Sequence, residues 1–376
     1  MTSSENAGVY VHLPFCPYIC PYCDFAKEVW SDARAAQYRE ALAAEIDAAP
    51  AVAARTLFFG GGTPTTYDPA VIAQIVTRVR ERFALDAAAE VTAEANPDPA
   101  LIGRLPGLFA AGINRLSIGV QSFDPEELRR LGRRHTPADV ARVVEAARAA
   151  GFTNISLDLI FGVPGGSAAS WRRTLDAALA LEPEHLSAYG LTIEDDTPYA
   201  AWFARDPAAF ADDTLEAELY GIAIARLREA GFEHYEISNW ARPGFRSQHN
   251  AGYWRNDPYL GLGVGAASYL DGVRSVHTRE IDAYLRAALA REPIPGEEER
   301  LEGTARAGEA IMLALRTAEG VDPAAFGERY GLAFEERYGI IVERLAADGF
   351  LTAAGGRVRL TERGKYLAND VCAAFL

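Results

Sequence analysis

The stretch VHLPFCPYICPYCDF (residues 11–25) carries Cys16, Cys20 and Cys23 in the spacing C-x3-C-x2-C. A cubane iron–sulfur cluster has four irons, and each takes a thiolate. Three closely spaced thiolates hold three irons and leave the fourth without a protein ligand. An open position is where a metal site does chemistry rather than staple a fold. The spacing therefore points to a [4Fe–4S] cluster with one iron reserved for a small molecule. Other readings stay open on spacing alone: a disulfide plus a spare thiol, a zinc site completed by His12, or unremarkable buried thiols. The chain has four cysteines, the last being Cys372. A secreted disulfide framework needs an even, dispersed set, and structural zinc sites usually bring a second separated ligand pair, which this sequence does not offer.

The triad follows a β-rich run, VYVHL (9–13), and the same rhythm continues downstream. Runs TLFFG (56–60), EVTAEAN (90–96), RLSIGVQS (115–122), ISLDLIFG (155–162) and HLSAYGLTI (185–193) read as strands. Helical periodicity fills the gaps at 32–49, 69–83, 99–111, 124–131, 137–150 and 168–181. Six β/α units in about 190 residues predict parallel pairing with right-handed crossovers. Six are too few for a closed eight-fold barrel, so the expected fold is an α/β, open, partial (β/α)6 barrel. Chemistry in such folds gathers at the C-terminal ends of the strands. There lie the cysteines, Gly60–Gly62, Glu94 with Asn96, and Gln121, while Asp158 sits within the fifth strand.

Past this core (1–195) the pattern loosens. Residues 196–300 form an accessory region, with a helix at 212–230 and a strand and turn in FEHYEISNWA (232–241). QHNAGYWRNDPYLGLGVGAAS (248–268) reads as loop, and EPIPGEEE (292–299) as a linker. Residues 301–376 carry helices near 302–316, 322–331 and 334–348, then a hairpin at 351–360. That is a mainly helical, winged-helix-like C-terminal domain.

Several residues invite chemistry. The glycine run in FFGGGTPT (58–65) lets backbone amides approach a ligand, but no Lys-Ser/Thr pair follows, which excludes a Walker-type phosphate loop. Glu94 suits a ribose hydroxyl or an ammonium, or else serves as an N-cap or salt-bridge partner. Arg133 and Arg134 suit a bidentate carboxylate clamp, or else a solvated turn. Asp158, inside an apolar strand, needs a partner, because a buried unpaired carboxylate costs several kcal/mol, on the order of the buried-charge penalty. His249 in QHNAGYW could ligate an iron porphyrin, with Tyr253, Trp254 and Tyr259 as aromatic surface, or could tie down a structural loop.

These segments together match a family. CPYICPYC with the following DF, GGGTPT, AEANPD, RLSIGVQSF, DLIFGVPG and HNAGYW resemble the radical S-adenosylmethionine (SAM) superfamily, over nearly the whole chain. Within it they look like the oxygen-independent coproporphyrinogen III oxidase group, heme chaperone HemW branch, whose marker is HNxxYW. The resemblance implies that Cys16, Cys20 and Cys23 bind three irons of a [4Fe–4S] cluster. It implies SAM on the fourth iron, contacted by Tyr10, Tyr22, Gly61, Gly62, Thr63, Glu94, Gln121, Arg133 and Asp158. It makes His249 the candidate heme contact. The implied function is heme binding and delivery to acceptor proteins, including membrane-bound ones. The alternative is the oxidase's radical decarboxylation in porphyrin biosynthesis. Two departures bear on that choice. The oxidases carry a cysteine two residues past the third ligand, where this chain has Phe25. The family's GxGxGAHS has a histidine where this chain has Ala267.

Composition narrows the partners. The net charge of −15 disfavours nucleic acid, including for the winged-helix-like module, and an anionic membrane surface. No run approaches eighteen apolar residues. MTSSENAG has neither a basic region nor an apolar core, so a signal peptide is not expected and a cytoplasmic setting is. Monomer and dimer both remain compatible with the sequence.

Overall fold

The computed structural model describes residues 5–376. Residues 1–4, where the MTSSENAG stretch begins, lie outside the described residues. Six strands, Glu5–Leu13, Ala53–Gly61, Glu90–Ala95, Arg115–Gln121, Ile155–Phe161 and His185–Gly190, pair in parallel in chain order. The helices between them begin where the sequence supplies caps. Asp68 accepts from the amide of Ala70 ahead of Pro69–Phe83, and Thr136 and Asp139 form a capping box at Pro137–Ala150. The expected helix at 99–111 is two short ones, Pro99–Ile102 and Leu105–Ala110, because Pro106 starts a new first turn.

Alternation along each strand builds two environments. Outward residues such as Val9, Val11, Leu57, Phe59, Leu116, Ile118, Leu157 and Leu159 are buried beneath the helices. Inward residues are largely polar and border a central cavity. The sheet does not close, as expected for a partial barrel.

Two expectations for the accessory region require correction. Residues 248–268 are not a loop: they form the helix Gln248–Trp254 and the strands Tyr259–Leu262 and Ala267–Leu270. Tyr259–Leu262 pairs in parallel with Glu5–Leu13 and adds a seventh parallel strand. The linker at 292–299 contains the edge strand Gly296–Arg300, paired with Val273–His277. At the opposite edge Asn239–Ala241 and Glu233–Glu236 pair antiparallel, so one sheet of twelve strands runs through the described residues.

The added strand is locked to the barrel by buried polar bonds. Tyr38 donates to the carbonyl of His12 and accepts from the amide of Val264. Glu45 accepts from the amide of Gly263 and from the hydroxyl of Tyr284. Gly263, at φ +103°, has no room for a Cβ, which would meet the Tyr38 hydroxyl at 2.5 Å. A second core, with Ile311, Leu315, Phe326, Phe334, Tyr338 and Val342 at its centre, holds the C-terminal helices and the hairpin Leu351–Ala354 and Arg357–Leu360. Backbone bonds join it to the accessory strands, from Ala318 N–H to the carbonyl of Tyr235 and from Ile237 N–H to that of Arg316.

Tyr284→Phe removes one of the two bonds that stabilise the buried Glu45 carboxyl. It should lower the unfolding free energy by about 1–3 kcal/mol in a urea titration. An unchanged midpoint would show that this tie does not hold the added strand.

Candidate functional site

The parallel strands place their C-terminal ends around the mouth of a cavity of about 660 Å³. The three cysteines, all free thiols, lie on the loop that covers this mouth. The loop is pinned at both ends. Its start pairs Phe15–Cys16 with Glu28–Val29. Its exit is held by His12, whose Nε2 bonds the carbonyl of Ala26 at 2.7 Å while Nδ1 bonds the Tyr10 hydroxyl at 2.9 Å. Nε2 must therefore carry the proton, and Tyr10 donates to Nδ1. Burial keeps His12 neutral, with its pKa lowered to about 4. Both nitrogens are thus engaged, so His12 is not free to complete a zinc site with the cysteines.

Two of the sulfurs are joined through a chain of hydrogen bonds. Thr63 donates to Cys16 Sγ at 3.5 Å, and Asn96 Nδ2 donates to Thr63 at 3.0 Å. Asn96 Oδ1 accepts from Arg133 at 2.7 Å, and Arg133 donates in turn to Cys20 Sγ at 3.6 Å. Arg133 also donates to the carbonyl of Gly119 at 2.6 Å, which fixes its plane. Its buried Nε has no partner in the protein. Burial raises the Cys16 thiol to about 11 against the Thr63 bond, and raises Cys23 as well. Among the described residues no three metal-ligating side chains close on a single ion.

The residues that the resemblance implied for SAM and heme all border this cavity: Tyr10, Tyr22, Gly61, Gly62 and Thr63 do so, as do Glu94, Gln121, Arg133, Asp158 and His249, whereas Gly60, Arg134, Trp254 and Tyr259 do not. Gly61 has φ +105°, and a Cβ on Gly62 would meet the backbone of Pro14 at 2.6 Å, so the glycine run packs against the cysteine loop. Gln121 holds φ +68°, a conformation non-glycine residues seldom adopt, at a break in register beside Gly119. Glu94 accepts from the amide of Gly61 at 3.2 Å. Burial, and then the nearby Asp158, raise its pKa to about 7. Asp158 meets the partner requirement with three hydroxyls, from Ser117, Ser156 and Ser187, at 2.8–3.0 Å. Arg134 does not join the clamp: it lies over the Tyr18 ring at 4.5 Å.

His249 sits at the other end of the barrel. It is buried, with Nδ1 on the Thr56 hydroxyl and Nε2 on the Tyr253 hydroxyl, both at 2.8 Å, and it stacks on Phe58. Burial, and then the charge of Arg115, hold it neutral, with its pKa lowered to about 3. His249 and Tyr253 form the wall between the barrel cavity and an outer cleft of about 220 Å³, which Glu90 and Tyr259 also line. Phe25 is 61% exposed beside the cysteine loop.

The sequence reading missed the helix Pro198–Arg205, whose Tyr199 packs on Tyr22 and whose Tyr199 amide bonds the carbonyl of Pro21. Its signal was present as the Thr197-Pro198 cap. It also assigned no role to Arg115, Ser117, His185 and Ser187, which line the lower cavity and which strand alternation places there.

Residues 10–178 match the radical SAM superfamily, and residues 301–367 match the HemN C-terminal domain. The chain is similar to the heme chaperone HemW of Bacillus subtilis, 35% identical over 98% of this chain and 99% of that one. It is 33% identical to the heme chaperone HemW of Escherichia coli over the full length of both. Among solved structures it is similar to coproporphyrinogen III oxidase (HemN) from Escherichia coli, at TM-score 0.86 and 26% identity, covering 99% of this chain and 90% of that one.

The raised pKa of Glu94 has a thermodynamic consequence. Between pH 4.5 and about 7 the folded state keeps a proton that the unfolded chain has released, so stability falls as pH rises through that window. Glu94→Gln should remove a loss of up to roughly 3 kcal/mol. Urea titrations without added cofactor at pH 5 and pH 8 should show the variant gaining on the parent at the higher pH. Equal pH slopes would contradict the assignment.

Proposed function

The chain belongs to the radical SAM superfamily and, within it, to the heme chaperone HemW family, and we propose that it is a heme chaperone. It would bind heme and a SAM-coordinated [4Fe–4S] cluster and pass heme to acceptor proteins. The single observation that carries this reading is full-length similarity to HemW proteins in a chain that also holds the C-x3-C-x2-C loop over a barrel cavity.

The residues present fit the cluster and SAM. Three free thiols line the cavity mouth, and His12, with both ring nitrogens engaged, is not available as a fourth ligand. Cys16, Cys20 and Cys23 would take three irons. Arg133, with a buried Nε lacking a protein partner, would hold the methionyl carboxylate. Glu94, with a single hydrogen bond from the protein, would accept from the amino group or a ribose hydroxyl. Tyr10, Tyr22, Gly61, Gly62, Thr63, Gln121 and Asp158 would complete the contacts. Bound there, the cluster supplies a one-electron donor beside the sulfonium. Thr63 and Arg133 donate to ligand sulfurs, an arrangement that stabilises thiolates and tunes the site. Tyr199 and its helix back the cysteine loop.

Heme would reach the chain near His249. That histidine can meet an iron only if Tyr253 or Thr56 releases a ring nitrogen. The outer cleft is too small to enclose a porphyrin as it stands, since ligand pockets of drug size run to several hundred Å³. Heme binding would therefore open the helix Gln248–Trp254. We assign the barrel to residues 1–195, the accessory region with the HNxxYW helix to 196–300 and the C-terminal domain to 301–376. Acceptors would include membrane-bound proteins, and the setting would be cytoplasmic, as monomer or dimer. Among the described residues no helix is long and apolar enough to cross a membrane.

The similarity to the oxidase structure favours one second reading, decarboxylation of coproporphyrinogen III. Phe25 at the position of the oxidase's further cysteine speaks for the chaperone.

An anaerobic absorption spectrum with and without heme should report cluster and heme together. His249→Ala should weaken heme binding at least tenfold, the scale of a lost ligand bond. Tyr253→Phe frees Nε2 and should leave binding equal or stronger. Formation of tetrapyrrole product with SAM and reductant, in place of stable heme binding, would replace the chaperone reading with the oxidase.

A further inference from the structure

The floor of the barrel holds a cation that the proposed function leaves unused. Arg115 opens the strand Arg115–Gln121. The alternation that sends Leu116, Ile118 and Val120 toward the helices turns Arg115, Ser117, Gly119 and Gln121 inward. Its side chain is 1% exposed and borders the same cavity as the cysteines, six positions below Gln121. Among the described residues no ion pair includes Arg115, and its Nε has no hydrogen-bond partner. Thr92 lies beside it in register on the neighbouring strand, and its hydroxyl also lacks a partner. Two buried donors left without acceptors side by side are uncommon in a folded protein, because each costs free energy unless something meets it.

Asp158 lies near enough to feel this charge, but among the described residues no group forms an ion pair with it. The Asp158 carboxylate is directed to the hydroxyls of Ser117, Ser156 and Ser187. Glu94 faces the Gly61 amide nearer the rim. His185 bonds Ser156 and the Tyr235 hydroxyl, and His249 bonds Thr56 and Tyr253, so each has both ring nitrogens engaged. Burial, with the Arg115 charge behind it, holds both histidines neutral. A guanidinium fork that none of its neighbours meets with a hydrogen bond matches a carboxylate, which it meets with two parallel N–H···O bonds.

We propose that Arg115, with the Thr92 hydroxyl, forms a carboxylate-binding subsite at the barrel floor, separate from Arg133 at the rim. Its ligand is a compact carboxylate, either a free short-chain acid or the propionate arm of a porphyrin. The subsite does not require heme to be the cargo.

The test uses the full chain, reconstituted anaerobically with iron and sulfide and saturated with SAM. Labelled propionate is titrated and followed by NMR line width. Wild type should bind saturably, Arg115→Gln should weaken binding at least tenfold, and Arg115→Lys should recover part of the loss. In wild type with labelled arginine, the Arg115 Nε–H resonance should shift with the same titration, a readout that needs no variant to fold. No saturable binding in wild type, binding that Arg115→Gln leaves intact, or displacement of propionate by SAM would each overturn the proposal. Comparing heme with its dimethyl ester then separates the two sources. A preference for free heme that Arg115→Gln abolishes assigns the carboxylate to the porphyrin. Propionate binding at Arg115 without that preference assigns it to a free acid. Failure to bind heme at all would count against the chaperone reading and leave the propionate result standing.

Discussion

Each barrel strand must satisfy an apolar layer on one side and a polar cavity on the other, and the rest of the structure depends on that division. The outward side is uniform: valine, leucine, isoleucine and phenylalanine pack under helices, where burial contributes about 25 cal/mol per Å² of apolar surface. The inward side has no such common solution. Every polar group there needs a specific partner, because the cavity does not give it bulk water. Asp158 needs three serines from three strands, and His185 needs a serine and a tyrosine from two different elements. These bonds fix strand register as firmly as the outer packing does, since a one-residue slip would turn serines outward and leucines inward.

The same requirement explains how the mouth is organised. A loop carrying three cysteines has little regular structure to hold it. It is held instead by His12 on the Ala26 carbonyl and Thr63 on Cys16, from strand ends, and by Arg133 on Cys20, from just past the helix Pro125–Arg130. Asn96 ties the last two together, with its amide nitrogen toward Thr63 and its oxygen toward Arg133. The sequence placed Asn96 at a strand end but gave it no task. Its importance lies in having one donor and one acceptor facing opposite ways, which only the fold reveals.

What the sequence made legible, and what it did not, follows from how local each signal is. Pro69–Phe83 and Pro137–Ala150 are legible to the residue because cap, proline and apolar stripe all lie within the helix itself. The rim of the site is legible for a similar reason, since glycines and acids at strand ends stand out against apolar runs. Tyr259–Leu262 is not. Its glycines read as loop, and they serve in a strand only because Gly263 lets the chain pass the Tyr38 hydroxyl. Gly296–Arg300 is a wholly exposed edge strand, so no apolar alternation marks it. His249 looked like a loop residue for the same reason, and its burial against Phe58 and Tyr253 depends on a helix that brings it across to the first strands.

The charges along the cavity are arranged in layers from mouth to floor. Arg133 is at the mouth, Glu94 and Asp158 lie below it, and Arg115 is at the floor with two neutral histidines. The carboxylates and the lower arginine are close enough to influence one another, yet each is held apart by hydrogen bonds to uncharged groups. A direct ion pair between Arg115 and Asp158 would have satisfied both at once, at low cost in a buried site only when the geometry is good. The serines prevent that collapse. By occupying Asp158 they keep its carboxyl and the Arg115 guanidinium as separate features of one cavity wall. A cavity that merely needed to be filled would not require this separation, and the three serines are what maintain it.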